Sequence, residues 1–89
     1  MPNTVHNGQA DPMSLTLHGV AAPVALPGNG NVAVNAPIDR IAYHGLTYTR
    51  VGDWVVADNV ALTATYPGGQ NINLRTPQGF EVVYHYQGP

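Results

Sequence analysis

The residues of this 89-residue chain that could do chemistry are few: four histidines (His6, His18, His44, His85), one serine (Ser14), and the acids Asp11, Asp39, Asp53, Asp58 and Glu81. Histidine is the first candidate for metal binding, but these four do not fall at spacings that put two on one strand face or one helix face, as zinc motifs usually do. Nucleophilic chemistry is poorly supplied. Ser14 is the sole serine, there is no cysteine, and there is no lysine to form a Schiff base. On a strand, Ser14 and His18 would lie more than ~10 Å apart at about 3.3 Å per residue, too far for proton transfer. A carboxylate pair of the glycosidase kind finds no support, because Asp53 and Asp58 are accounted for by turns. The glycines of Pro27-Gly28-Asn29-Gly30-Asn31-Val32 are turn residues, since neither a lysine nor a helix start follows them. No catalytic residue, cofactor or metal ligand is expected.

The elements that would position these residues read as strands. From Ile41 to Tyr66 the chain holds its densest alternation of apolar and polar residues and its one tryptophan, Trp54. Gly52-Asp53 lies between Leu46–Val51 and Trp54–Asp58, which suggests a type II′ hairpin facing Val51 with Trp54 and Thr49 with Val56. Val60, Leu62, Ala64 and Tyr66 then alternate with a period of two, so a three-stranded meander is the expected core. Upstream, Met13, Leu15 and Leu17 mark the first strand. Val24–Leu26 and Asn31–Asn35, bordered by Pro23, Pro27 and Pro37, suit edge strands around a turn. Downstream, Pro67-Gly68-Gly69-Gln70 and Thr76-Pro77-Gln78-Gly79 are turns, Asn71–Arg75 is a strand, and the last strand sends Phe80, Val82, Tyr84 and Tyr86 to one side. No segment has a helical period. The expected fold class is all-β: a small antiparallel β-sandwich or partly open barrel of six to eight short strands with a β-meander core and an extended N-terminal arm.

Residues 1–12, MPNTVHNGQADP, are polar and show no period, which separates an N-terminal arm from a single β domain at 13–89. Docking on a neighbouring subunit is the sharper expectation for such an arm, and lying along its own sheet is the alternative. Charged residues make up 9% of the chain, with no lysine and only Arg40, Arg50 and Arg75, against about 25% in ordinary soluble proteins. A neutral, hydrogen-bonding surface of this kind argues against nucleic acid, whose affinity needs clustered basic residues, and offers no electrostatic membrane attachment. No secretory signal is recognisable at the N-terminus, so synthesis in a host cytoplasm is the expectation. An 89-residue core without disulfides gains most from association.

The expected function is a non-enzymatic structural protein of a larger assembly, of the kind of a small phage virion protein (capsid decoration or tail-associated), forming a homo-oligomer with other capsid or tail subunits as partners. Pro2, Asn3, Thr4, Val5 and His6 of the arm, with Arg50 and Arg75 on the sheet, are the expected partner-binding residues. The alternative is a monomeric module that binds glycans or a host protein through exposed Tyr and Arg positions.

Overall fold

The computed structural model describes residues 2–88 and contains nine strands: β1 (Asn3–Asn7), β2 (Met13–Leu17), β3 (Val24–Leu26), β4 (Asn31–Val34), β5 (Ile38–Tyr43), β6 (Leu46–Arg50), β7 (Ala61–Gly68), β8 (Asn71–Arg75) and β9 (Glu81–Tyr86). They form one sheet in the order β3-β2-β5-β6-β9-β8-β7-β1-β4, which curls until its edge strands β3 and β4 come into contact. The fold is therefore all-β and a nearly closed barrel, with nine strands where six to eight were expected. The two edge strands are the short, proline-bordered segments read as edges from the sequence. Among the described residues no helix is long and apolar enough to cross a membrane.

Alternation within the strands fills the barrel. In β2, Met13, Leu15 and Leu17 point inward, and in β8, Ile72 and Leu74 do the same. Opposite them, Ile41, Leu62 and Tyr84 are fully buried. A barrel of this strand number has an interior just wide enough for side chains, so these residues form a packed core rather than a channel. Tyr84 completes it by donating its hydroxyl to the Ile38 carbonyl at 2.7 Å. Desolvation raises the Tyr84 phenol well above its ordinary value, because the phenolate would be stranded in that core.

The topology decides two sequence expectations. The N-terminal segment is extended along its own sheet, the alternative expected for it: β1 runs parallel to β7 and antiparallel to β4. It is also the one parallel partner in an otherwise antiparallel sheet. Asn3 and Asn7 are buried, and with the half-buried Gln9 they satisfy backbone groups. Asn3 Oδ1 accepts from Val60 N at 3.0 Å, Gln9 Oε1 accepts from Tyr66 N at 3.2 Å, and Asn7 Nδ2 donates to the Asp11 and Leu26 carbonyls at 2.8 and 3.3 Å. Asn3, Val5 and Asn7 thus have a hidden period of two, with Val5 wholly buried.

The Gly52-Asp53 hairpin does not form. Residues 51–60 make no strand, and β6 pairs with β9, placing Tyr48 opposite Tyr86 and Arg50 opposite Tyr84. That register brings the Tyr48 and Tyr86 rings to 6.0 Å, an aromatic pairing that Trp54 and Val56 could not offer in the local hairpin. Gly52 does adopt the positive φ expected of it, but there its carbonyl receives Arg50 Nε at 3.0 Å instead of opening a return strand. The meander is split in consequence: β5 and β6 form one hairpin, and β7, β8 and β9 form the three-stranded run.

Candidate functional site

Strand directions give the barrel two distinct ends. One end collects the segments 8–12, 27–30, 44–45 and 69–70; the other collects 35–37, 51–60 and 76–80.

At the first end His44-Gly45 joins β5 to β6, with Tyr43 paired to Leu46. Both turn residues have positive φ, 51° and 75°, as a two-residue type I′ turn requires. Asn or Gly is the usual choice at the first position, and histidine is among the few other residues enriched in this left-handed conformation. Its side chain is well placed. The imidazole stacks on the Tyr43 ring at 4.0 Å, and Nε2 lies 2.7 Å from Asp11 Oδ2. Beside this pair runs an open groove of about 420 Å³, lined by Asp11, Pro12, Met13, Ser14, Tyr43 and His44 among others. Its accessible lining is almost wholly apolar; Pro12 is exposed there, while Met13 and Tyr43 behind it are buried. Deeper in the same mouth, Tyr66 packs at 5.6 Å from Tyr43 and 6.3 Å from Tyr48. Burial, and then the neighbouring phenols of Tyr66, Tyr43 and Tyr86, push the Tyr48 hydroxyl above its ordinary ionisation range.

At the opposite end the loop 51–60 folds across the barrel mouth. Trp54 and Val56 pack inward on the core, leaving Val51 and Val55 exposed. The Thr76–Gly79 turn, closed by Gly79 N donating to the Thr76 carbonyl at 2.9 Å, holds Phe80 out beside them. Val55, Val60, Thr76 and Phe80 help to line an apolar groove of about 240 Å³. Phe80 and Val55 are 45% and 65% exposed and, with Val51, are protruding apolar side chains of this end.

The structure scatters the residues expected to bind partners. Pro2 and Thr4 are exposed, His6 is tied to Asn31 Oδ1 at 2.6 Å, and Asn3 and Val5 are buried inside the protein's own sheet. Arg50 is an internal strut, donating to the Ile38 carbonyl at 2.9 Å and to Asp39 Oδ1 at 3.0 Å. Asp39 also lies 3.0 Å from His18 Nδ1. Burial pushes its carboxyl up, but the hydrogen bonds from His18 and Arg50 outweigh it and hold Asp39 below its ordinary value. Arg75 remains a surface group, 3.7 Å from Glu81 and next to the Phe80 turn.

His85 Nδ1 lies 2.7 Å from Asn71 Oδ1 across the β8–β9 pair. Among the described residues no three His, Asp or Glu converge as a metal site. Sequence reasoning missed the grouping of Asp11, Ser14 and His44, which come from three segments. The available signal was a histidine at a hairpin position that favours asparagine or glycine. No known family model, curated protein or solved structure matches the chain.

Proposed function

We propose that the protein is a non-enzymatic structural subunit of a larger protein assembly, held by self-association through the end of the barrel that carries Val55, Phe80 and Arg75. The observation that carries this reading is the apolar rim itself: on a chain with 9% charged residues and no lysine, two large side chains stand out of the surface beside an apolar groove of about 240 Å³. Each copy has both a protruding Phe80 and a groove to receive one, which suits a two-fold, self-complementary contact. The Arg75–Glu81 pair next to it is neutral overall and sets no like-charge barrier.

Within this class, a small phage virion protein that decorates a capsid or joins a tail, made in the host cytoplasm, fits the neutral Asn-, Thr- and Gly-rich surface. The contact comes from a loop and a turn, since the N-terminal strand is committed to its own sheet. Sedimentation velocity tests the reading. The intact chain is expected to form a concentration-dependent homo-oligomer, and V55E/F80E to sediment as a monomer with an unchanged circular dichroism spectrum. A wild-type chain that stays monomeric at high micromolar concentration refutes it.

A further inference from the structure

Given self-association through the Phe80 end, the placement of the exposed apolar side chains also determines how two copies meet. Among the described residues, five large apolar side chains stand exposed: Val20, Leu46, Val51, Val55 and Phe80. Four of the five belong to one end. Val20 lies in the β2–β3 connection, tied there by His18 N donating to the Pro37 carbonyl at 2.8 Å. Val51 and Val55 lie in the β6–β7 connection, and Phe80 just before β9. Of the five, only Leu46 stands at the other end. The connections of that end, 8–12, 27–30, 44–45 and 69–70, carry no Val, Leu, Ile, Met, Phe, Trp or Tyr.

We infer, on that reading, that two barrels join end to end, apolar end against apolar end, in a two-fold dimer that closes at two copies. Only like-with-like docking removes all four side chains from water on both partners. Head-to-tail docking would set them against turns rich in Gly, Asn and Pro, burying apolar surface on one partner alone. The first arrangement is isologous and closed, whereas the second is heterologous and its repetition builds rings or filaments. The end is large enough for the task. The molecule measures 33 × 28 × 25 Å, so even its smallest face projects roughly 550 Å², and side-chain relief brings this toward the ~800 Å² per partner of a standard interface. The polar turn ends then face outward, one at each tip of the dimer, and are the surfaces left for other components of an assembly.

Analytical ultracentrifugation of the intact chain, with exposed positions changed singly, tests the arrangement. The wild type is expected to fit a monomer–dimer equilibrium with no larger species. V20E and V51E lie outside the groove beside Phe80, and each is expected to raise the dimer dissociation constant by about tenfold or more, because a carboxylate would be buried unpaired. L46E is expected to stay within about twofold of the wild type. All three positions are exposed, so the circular dichroism spectrum should not change. Dilution of the unsubstituted chain supplies an independent readout, with amide shifts expected in residues 18–23, 51–58 and 76–80. A wild type that remains monomeric overturns the self-association reading itself. Self-association that survives V20E and V51E, is weakened tenfold by L46E, or continues past the dimer overturns end-to-end closure and leaves self-association standing.

Discussion

Asn7 is the residue whose replacement most directly tests how the barrel is closed. It is fully buried at the end of β1, where no ladder joins the edge strands β3 and β4. Its side chain bridges the gap. Nδ2 donates to the Leu26 carbonyl at the end of β3 and to the Asp11 carbonyl, Oδ1 accepts from Gln9 N at 2.8 Å, and its backbone N–H donates to the Gly30 carbonyl at 2.8 Å.

Asn7→Ala removes three side-chain hydrogen bonds worth about 1 kcal/mol each, and an unpaired buried carbonyl adds roughly 1–2 kcal/mol, for a loss of about 4 kcal/mol. A domain of this size has only about 4–13 kcal/mol in total. Urea unfolding followed by Trp54 fluorescence should therefore show the midpoint falling by roughly 2–4 M, at a slope of about 1–2 kcal/mol/M. Asn7→Asp gives a sharper signature. It keeps the acceptor for Gln9 but turns an oxygen toward two carbonyls, so the folded state prefers the protonated acid and raises its pKa. The stability of this variant is then greatest below the unfolded aspartate value of about 3.9 and falls as pH rises above it. A midpoint shift in Asn7→Ala equivalent to less than ~1 kcal/mol, or an Asn7→Asp variant with no such pH dependence, would refute the role assigned to this side chain.

Four further outcomes follow from the same geometry. Deleting residues 2–7 should abolish the cooperative thermal transition, because β1 pairs on both sides and Val5 is core; a detachable arm would leave the melting temperature unchanged. Gly28→Ala should cost more than ~3 kcal/mol by thermal denaturation, since its Cβ would sit 1.8 Å from the Ala10 carbonyl oxygen, a backbone atom that cannot move aside. Asp39 is held below its ordinary value of 3.8, so its stabilising effect is present above that pH and is lost as pH falls through the folded value; Asp39→Asn should flatten the acid limb of the stability profile. Tyr48 and Tyr84 are raised above the ordinary value of 10.0, so stability present below that pH declines as pH climbs past it, and Tyr48→Phe with Tyr84→Phe should remove the late-ionising part of the phenolate absorbance titration.

Period and turn chemistry made much of the sheet legible. Met13, Leu15 and Leu17, Ile72 and Leu74, and Val82 and Tyr84 could each be assigned to an inner face because strand side chains alternate, and the core contains all of them. Thr76–Gly79 closed as its Pro and Gly positions demand. The failures share a physical origin, which is non-local competition. Gly52-Asp53 has good local turn chemistry, yet the partner of β6 lies more than thirty residues away in β9, where Tyr86 meets Tyr48. Composition cannot reveal that asparagine side chains will substitute for ladder bonds, so Asn3 and Asn7 read as solvated tail residues. The groove was hidden for the same reason: Asp11 meets His44 across a separation of 33 residues.

The two ends of the barrel differ in a way that constrains how the molecule can work. Strand β6 begins beside His44 at one end and finishes at Arg50 near the loop 51–60 at the other, so a contact through Val55 and Phe80 leaves the groove of Asp11, Ser14 and His44 pointing away from it. The core between them is rigidly filled, with Tyr84 anchored on Ile38 and Arg50 clamped between Ile38, Asp39 and Gly52. A closely packed interior does not transmit small displacements gradually. Docking at the Phe80 end should therefore be energetically independent of changes at the His44 end. F80E is expected to abolish self-association in sedimentation velocity, and H44N to leave it unchanged. A change of more than about threefold in the self-association constant of H44N, roughly 0.65 kcal/mol of coupling, would show that the barrel is softer than its packing implies.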